Sequence, residues 1–173
     1  GHIPGAVHLD LARDLSGPVE RHGGRHPLPA PADFAARLAE LGIGRDARVL
    51  LYDDGNCLFA ARAWWMLRAL GFPEPRLLTG GYAAWLAAGG EPTRERSGPA
   101  AVASAPVPPA WPGVCVREEL ADLQARGGAL VDARDAPRYR GEIEPIDPVA
   151  GHIPGALNRP WQDFVAESGA FRD

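Results

Sequence analysis

Gly1-His2-Ile3-Pro4-Gly5-Ala6 is a hexamer that returns unchanged as Gly151-His152-Ile153-Pro154-Gly155-Ala156. The two copies stand about one domain length apart, and a repeat of this kind sets the architecture before any other signal is read. Proline at the fourth position fixes φ and glycine at the fifth admits a positive φ, so each copy reads as a tight connector. The flanks agree: Val7-His8-Leu9-Asp10 follows one copy and Leu157-Asn158-Arg159-Pro160 the other, each expected to enter a short strand. The reading is two related units in one chain.

Outward from the first copy, residues 10–31 are rich in Gly, Pro, Arg and His and read as a long irregular excursion. His2, His8, His22 and His26 lack any compact metal-ligand spacing, so no metal site is expected. Phe34, Leu38 and Leu41 recur at helical spacing, with Asp33 as the expected cap and Gly42 and Gly44 as the stop. Val49-Leu50-Leu51-Tyr52 is a continuous apolar run typical of a buried parallel strand. A polar turn, Asp53 to Asn56, leads into an Ala-rich helix from Leu58 to Leu70. Arg76 to Leu78 reads as the next strand, and Gly80-Gly81 open a helix running to Gly89-Gly90. Residues 93–113 are Pro-, Ala- and Ser-rich and read as a linker. Beyond it come a helix over 117–126, a strand over 129–132, a charged loop from Asp135 to Val149, and a helix starting at Trp161. Strands alternating with helices at this spacing predict an α/β fold around a parallel sheet.

Composition narrows the function classes. A 46% hydrophobic, 23% charged chain is ordinary for a globular protein, and a net charge of −4 gives no reason to expect nucleic acid or an anionic membrane as partner. All 18 basic residues are arginine. No apolar run approaches the ~18 residues of a membrane span. Two cysteines are too few for a disulfide framework, which predicts a reducing, cytoplasmic setting. The sole methionine is Met66, and the chain starts inside one copy of the repeat and stops soon after the other, so truncation at both ends is expected.

The strand–turn–helix arrangement at 49–58 is the place for anion chemistry. Helix N-termini present unpaired N–H groups that hold anions and lower the pKa of a thiol. Cys57 lies there, and two readings stand side by side: a nucleophile, or a small apolar residue packed on the sheet beside two acids, Asp53 and Asp54, that would raise its pKa. Cys115, after a Pro-Gly pair, reads as structural.

These residues carry a family resemblance. The chain resembles tandem-domain rhodanese-like sulfurtransferases, the thiosulfate and 3-mercaptopyruvate sulfurtransferases. In the first half the resemblance rests on the hexamer, on Tyr52-Asp53-Asp54-Gly55-Asn56, on Ala60-Ala61-Arg62-Ala63-Trp64-Trp65 and on Gly80-Gly81-Tyr82-Ala83-Ala84-Trp85. In the second it rests on Val131-Asp132-Ala133-Arg134, Arg138-Tyr139-Arg140-Gly141-Glu142 and the second hexamer.

The resemblance implies a parallel β-sheet flanked by helices on both sides, in two repeats that are both incomplete here. It divides the chain into a noncatalytic domain at 1–92, a linker at 93–113, and the first part of a catalytic domain at 114–173. Asp53 stands where the working domain carries its nucleophilic Cys. The family's Cys-x-x-Gly-x-Thr/Ser loop matches neither Cys57 nor Cys115, so the nucleophile is expected beyond Asp173 and the chain alone is expected to be inactive. Arg138 matches the family's substrate-binding arginine, with Arg140 the weaker candidate, while Asp132 and Arg134 read as a structural pair. The implied reaction moves a sulfane sulfur from thiosulfate or 3-mercaptopyruvate to cyanide or a thiol through a cysteine persulfide, without metal or organic cofactor, in a protein monomeric when intact. Two alternatives stay open: a noncatalytic binding or scaffold module, and a sulfur carrier using Cys57.

Overall fold

Both hexamers fold into the same turn. Ala6 N–H donates to the Ile3 carbonyl at 3.0 Å and Ala156 N–H to that of Ile153 at 3.0 Å, with Gly5 and Gly155 at φ of 80° and 82°. Proline at the second position and a positive φ at the third make each a type II turn. The two flanks differ. Leu157–Asn158 forms a strand, whereas residues 7–10 form none, and His2 instead bridges antiparallel to Thr93. The computed structural model describes residues 1–20 and 24–172; His22 lies outside them. The chain divides into two compact units, Gly1–Gly113 and Val114–Asp173.

In the first unit, α1 (Pro31–Glu40) starts at proline rather than at the expected Asp33 cap. Ala30 holds the N-cap position in extended geometry, and Pro31, whose missing N–H costs nothing there, begins the helix. Asp33 falls in the first turn, where its charge suits the helix dipole. Gly42, at φ 74°, closes the helix: its N–H reaches Ala39 O at 3.0 Å while Ile43 N–H reaches Leu38 O at 2.8 Å. Strand β1 (Leu50–Leu51), α2 (Leu58–Ala69) and β2 (Arg76–Leu77) form a parallel βαβ unit with Leu50 opposite Arg76 and Leu51 opposite Leu77. Helix α3 (Gly81–Ala87) comes next. The core joins Phe34 and Leu38 of α1 to Met66 and Leu67 of α2, with Leu15, Leu51 and Phe72.

The stretch read as a linker is not a free tether. Val102 N–H bonds to Ala39 O at 2.9 Å, and the Trp111 indole donates to Pro29 O at 2.5 Å while its ring lies 5.6 Å from Trp65 and 6.1 Å from Phe34. Beyond the Thr93 bridge, proline disfavours strand pairing in this strip but leaves its apolar side chains free to pack. Arg62 pins the irregular segment after the first hexamer by donating to the carbonyls of Leu15, His26 and Pro27.

Asp14 is the buried acid of this unit. Its carboxylate accepts from Arg13, from Arg37 at 2.8 Å and from the Asp10 amide at 2.7 Å. Burial by itself would raise its pKa; the hydrogen bonds outweigh that and hold it down at about 2, from an ordinary 3.8. A depressed carboxylate stabilises the fold above its unfolded pKa and loses that contribution as pH falls through the folded one. We therefore expect about 2 kcal/mol to disappear between pH ~4 and ~2. Urea titrations across that window should show the slope in the native protein and its absence in Asp14→Asn.

The second unit begins with a 3₁₀ turn, Arg117–Glu119, that runs into α4 (Leu120–Ala125). Strand β3 (Val131–Asp132) pairs parallel with β4 (Leu157–Asn158), Val131 opposite Leu157 and Asp132 opposite Asn158. The parallel strands thus occur as two separate pairs, β1–β2 and β3–β4. Between β3 and β4 the charged loop contains a short helix the sequence reading missed, α5 (Ala136–Arg140). Pro137 in its first turn starts it and Gly141, at φ 75°, ends it. Trp161–Phe164 is a 3₁₀ turn rather than the start of an α-helix. Val131 and Leu157 are 52% and 55% exposed, so polar contacts carry much of this unit's order.

Candidate functional site

Two places bring chemistry-bearing residues together, one in each unit. In the first, the turn after β1 is organised by Asp53. Its Oδ1 accepts the amides of Gly55 and Cys57 at 3.0 Å each, and Oδ2 those of Phe59 and Ala60 at 3.1 Å each. Those of Cys57, Phe59 and Ala60 are unpaired donors of the helix N-terminus, so the side chain fills the anion cradle that α2 offers. Gly81 lets α3 approach this turn: a Cβ there would lie 2.6 Å from Asp53 O and 2.7 Å from Gly55 Cα.

Cys57 occupies the N-cap of α2 in a left-handed conformation, φ 59°, and is buried. Burial first, and then the Asp53 charge, push its thiol pKa up. Both effects oppose a thiolate. Cys115 is exposed, with its thiol 3.4 Å from Val116 O. A cleft of 560 Å³ elsewhere in this unit is lined by Arg13, Asp14, Phe34, Arg37 and Glu40, and contains neither cysteine. Its arginines are already engaged by Asp14 and Glu40. His2 bonds to Glu95 O, and His26 lies 3.4 Å from Ser16 Oγ. Among the described residues no group of three His, Cys, Asp or Glu side chains is placed to hold a metal ion, and no helix is long and apolar enough to cross a membrane.

The second place is an arginine–carboxylate network between β3, α5 and the loop after it. Arg134, just past β3, chelates Asp132 through Nε and Nη2, reaches Gly151 O at 2.6 Å, and touches Glu144 at 3.3 Å. Arg138, on α5, bonds side-on to Glu144: Nε to Oε2 at 3.1 Å and Nη2 to Oε1 at 2.7 Å. The second Nη2 bond goes to Asp147 at 2.8 Å. Glu144 also accepts the amides of Ile146 and Asp147, folding its own loop around the carboxylate. The Arg138 hydrogen bond, above all, holds Glu144 at a pKa of about 2, against an ordinary 4.5. In return Glu144 raises Arg138, so the cation is permanent.

Of the residues singled out in the sequence, Arg138 sits inside this network and Asp132 pairs with Arg134. Arg140 is bonded instead to Glu142, both about half exposed. Glu144 and Asp147 were not singled out. Their partners stand six and nine positions away across the Gly141 turn, a separation that no helical or strand period marks. The second hexamer closes the network. The Tyr139 and His152 rings stack at 3.8 Å, and the Tyr139 hydroxyl donates to Ala156 O at 2.7 Å.

The family model for the rhodanese-like domain matches residues 1–88. The protein named "Probable 3-mercaptopyruvate sulfurtransferase" of Pseudomonas aeruginosa is 49% identical over 98% of this chain and 61% of its own length. The thiosulfate sulfurtransferase of Gallus gallus is 35% identical over 97% of this chain and 58% of its own. The structure of 3-mercaptopyruvate sulfurtransferase from Leishmania major superposes with a TM-score of 0.86 at 30% identity, covering 99% of this chain and 48% of that one. The chain thus spans about three-fifths or less of the length of these relatives.

Proposed function

This chain belongs to the rhodanese-like domain family, and from that premise we propose that it serves a sulfurtransferase acting on thiosulfate or 3-mercaptopyruvate. The observation that carries the reading is similarity to a named sulfurtransferase along 98% of the chain. We read the chain as two rhodanese-like repeats, 1–92 and 114–173, joined through 93–113. The identical turns at Ile3–Ala6 and Ile153–Ala156 support this reading. Both cysteines are free thiols, which supports a reducing, cytoplasmic setting.

In the proposed reaction a cysteine thiolate attacks the outer sulfur of the donor. The S–S bond of thiosulfate breaks with its electron pair leaving on sulfite, or the C–S bond of 3-mercaptopyruvate breaks with its pair leaving as the pyruvate enolate, which takes up a proton, and the cysteine is left as a persulfide. Cyanide or a thiolate then takes the terminal sulfur and returns the thiolate. Arg138 holds the anionic end of the donor, a sulfonate or a carboxylate, through charge-assisted hydrogen bonds. Neither cysteine of this chain is the nucleophile in this reading. Cys57 is itself the buried, left-handed N-cap, with Asp53 already in the cradle, and Cys115 is exposed with its thiol against the Val116 carbonyl. The filled cradle equally favours a rival reading, a noncatalytic binding module.

The test is thiocyanate production from thiosulfate and cyanide, on this chain and on Cys57→Ser, alongside titration with each donor. No thiocyanate from either form, with donor binding that Arg138→Gln abolishes, is the expected result. Activity lost only in Cys57→Ser would make Cys57 the sulfur carrier. Absence of donor binding would leave the binding-module reading in place.

A further inference from the structure

Counting the hydrogens on Arg138 shows that something already stands where a ligand would bind. A guanidinium presents five N–H donors: one on Nε and two on each terminal nitrogen. Glu144 takes the Nε hydrogen and one from Nη2. Asp147 takes the other Nη2 hydrogen. Nη1 makes no hydrogen bond to any described residue. A planar oxyanion that grips an arginine with two parallel bonds must use either the Nε/Nη2 edge or the Nη1/Nη2 edge. Glu144 holds the first edge. The second is open at Nη1 and closed at Nη2 by Asp147.

The two carboxylates are not equally replaceable. The Glu144 side chain is 5% exposed and carries bonds from Arg138, Arg134 and two backbone amides, so removing it would strand several donors. Asp147 is 46% exposed, and water can take over its side chain when it swings away. We propose that Asp147 is an internal competitor for the donor's anionic group. It occupies the Nη2 position of Arg138 until a small oxyanion, sulfonate or carboxylate, displaces it, while Glu144 keeps the guanidinium aimed. This inference rests on the reading of Arg138 as the donor-binding residue. It makes Asp147 the residue that sets how tightly donors bind.

The experiment is calorimetric titration of the chain with thiosulfate and, separately, with 3-mercaptopyruvate. It compares the unaltered protein with Asp147→Asn, Asp147→Ser and Arg138→Gln, each checked for an unchanged thermal midpoint. Removing the competing charge should tighten binding roughly fivefold in both Asp147 variants, the scale of one half-exposed ion pair. Thiosulfate gaining more than 3-mercaptopyruvate would mark the sulfonate as the group displacing Asp147; the reverse would mark the carboxylate. Binding that depends on Arg138 but is unchanged or weaker in the Asp147 variants overturns the competitor role and leaves the Arg138 reading standing. No binding of either donor to any form overturns both.

Discussion

Replacing Asp53 by alanine should cost the first unit about 3 kcal/mol, more than an ordinary helix cap, whose loss costs about 0.5–2 kcal/mol. The difference comes from the number of donors one carboxylate serves. Four amides, those of Gly55, Cys57, Phe59 and Ala60, converge on its two oxygens. Phe59 is half exposed and its amide can turn to water, but Cys57 and Ala60 are buried and theirs cannot. A buried donor left unpaired costs about 1–3 kcal/mol. Asparagine keeps one acceptor oxygen, so Asp53→Asn should fall between the two. Urea unfolding of the three forms, followed by circular dichroism, measures this. A loss under about 0.5 kcal/mol in Asp53→Ala would show that the turn is held by its other contacts and that the carboxylate is incidental.

Phe34→Ala should be costlier still, about 4 kcal/mol, the usual range for an aromatic ring removed from a closed core being about 3–5. Phe34 is 1% exposed, next to Leu38 in the same core. Its ring is also one of two on which Trp111 rests. The variant should therefore loosen residues 93–113 as well as weaken the core. Two signals would report it: a red shift in tryptophan emission, and faster proteolytic cutting within 93–113. Loss of stability without either signal would mean that Trp65 and the Pro29 hydrogen bond suffice to hold the strip.

The α/β class was legible because apolar runs and helical periods are local signals. Val49–Tyr52 contains β1, and the Ala-rich stretch from Leu58 is α2 within a residue or two. Helix α5 was missed because five residues cannot display a period; only Pro137 and Gly141 marked its ends. The packing of 93–113 was invisible for another reason. Its composition is that of a tether, and Trp111 finds Phe34 and Trp65 only once α1 and α2 are in place. In the site, the type of residue was readable and its surroundings were not. Arg138 stood out by its sequence context, while Glu144 and Asp147 declare themselves only when the Gly141 turn brings them round. Asp53 was readable as a substitution, but its four amide partners required the left-handed backbone at Cys57.

The burial of Cys57 also matters to anyone who wishes to watch this molecule. With that thiol buried at the start of α2, Cys115 is the one sulfhydryl that an alkylating reagent meets on the folded surface. A maleimide dye or spin label can thus be attached at the start of the second unit without mutagenesis, because the fold itself protects the other position.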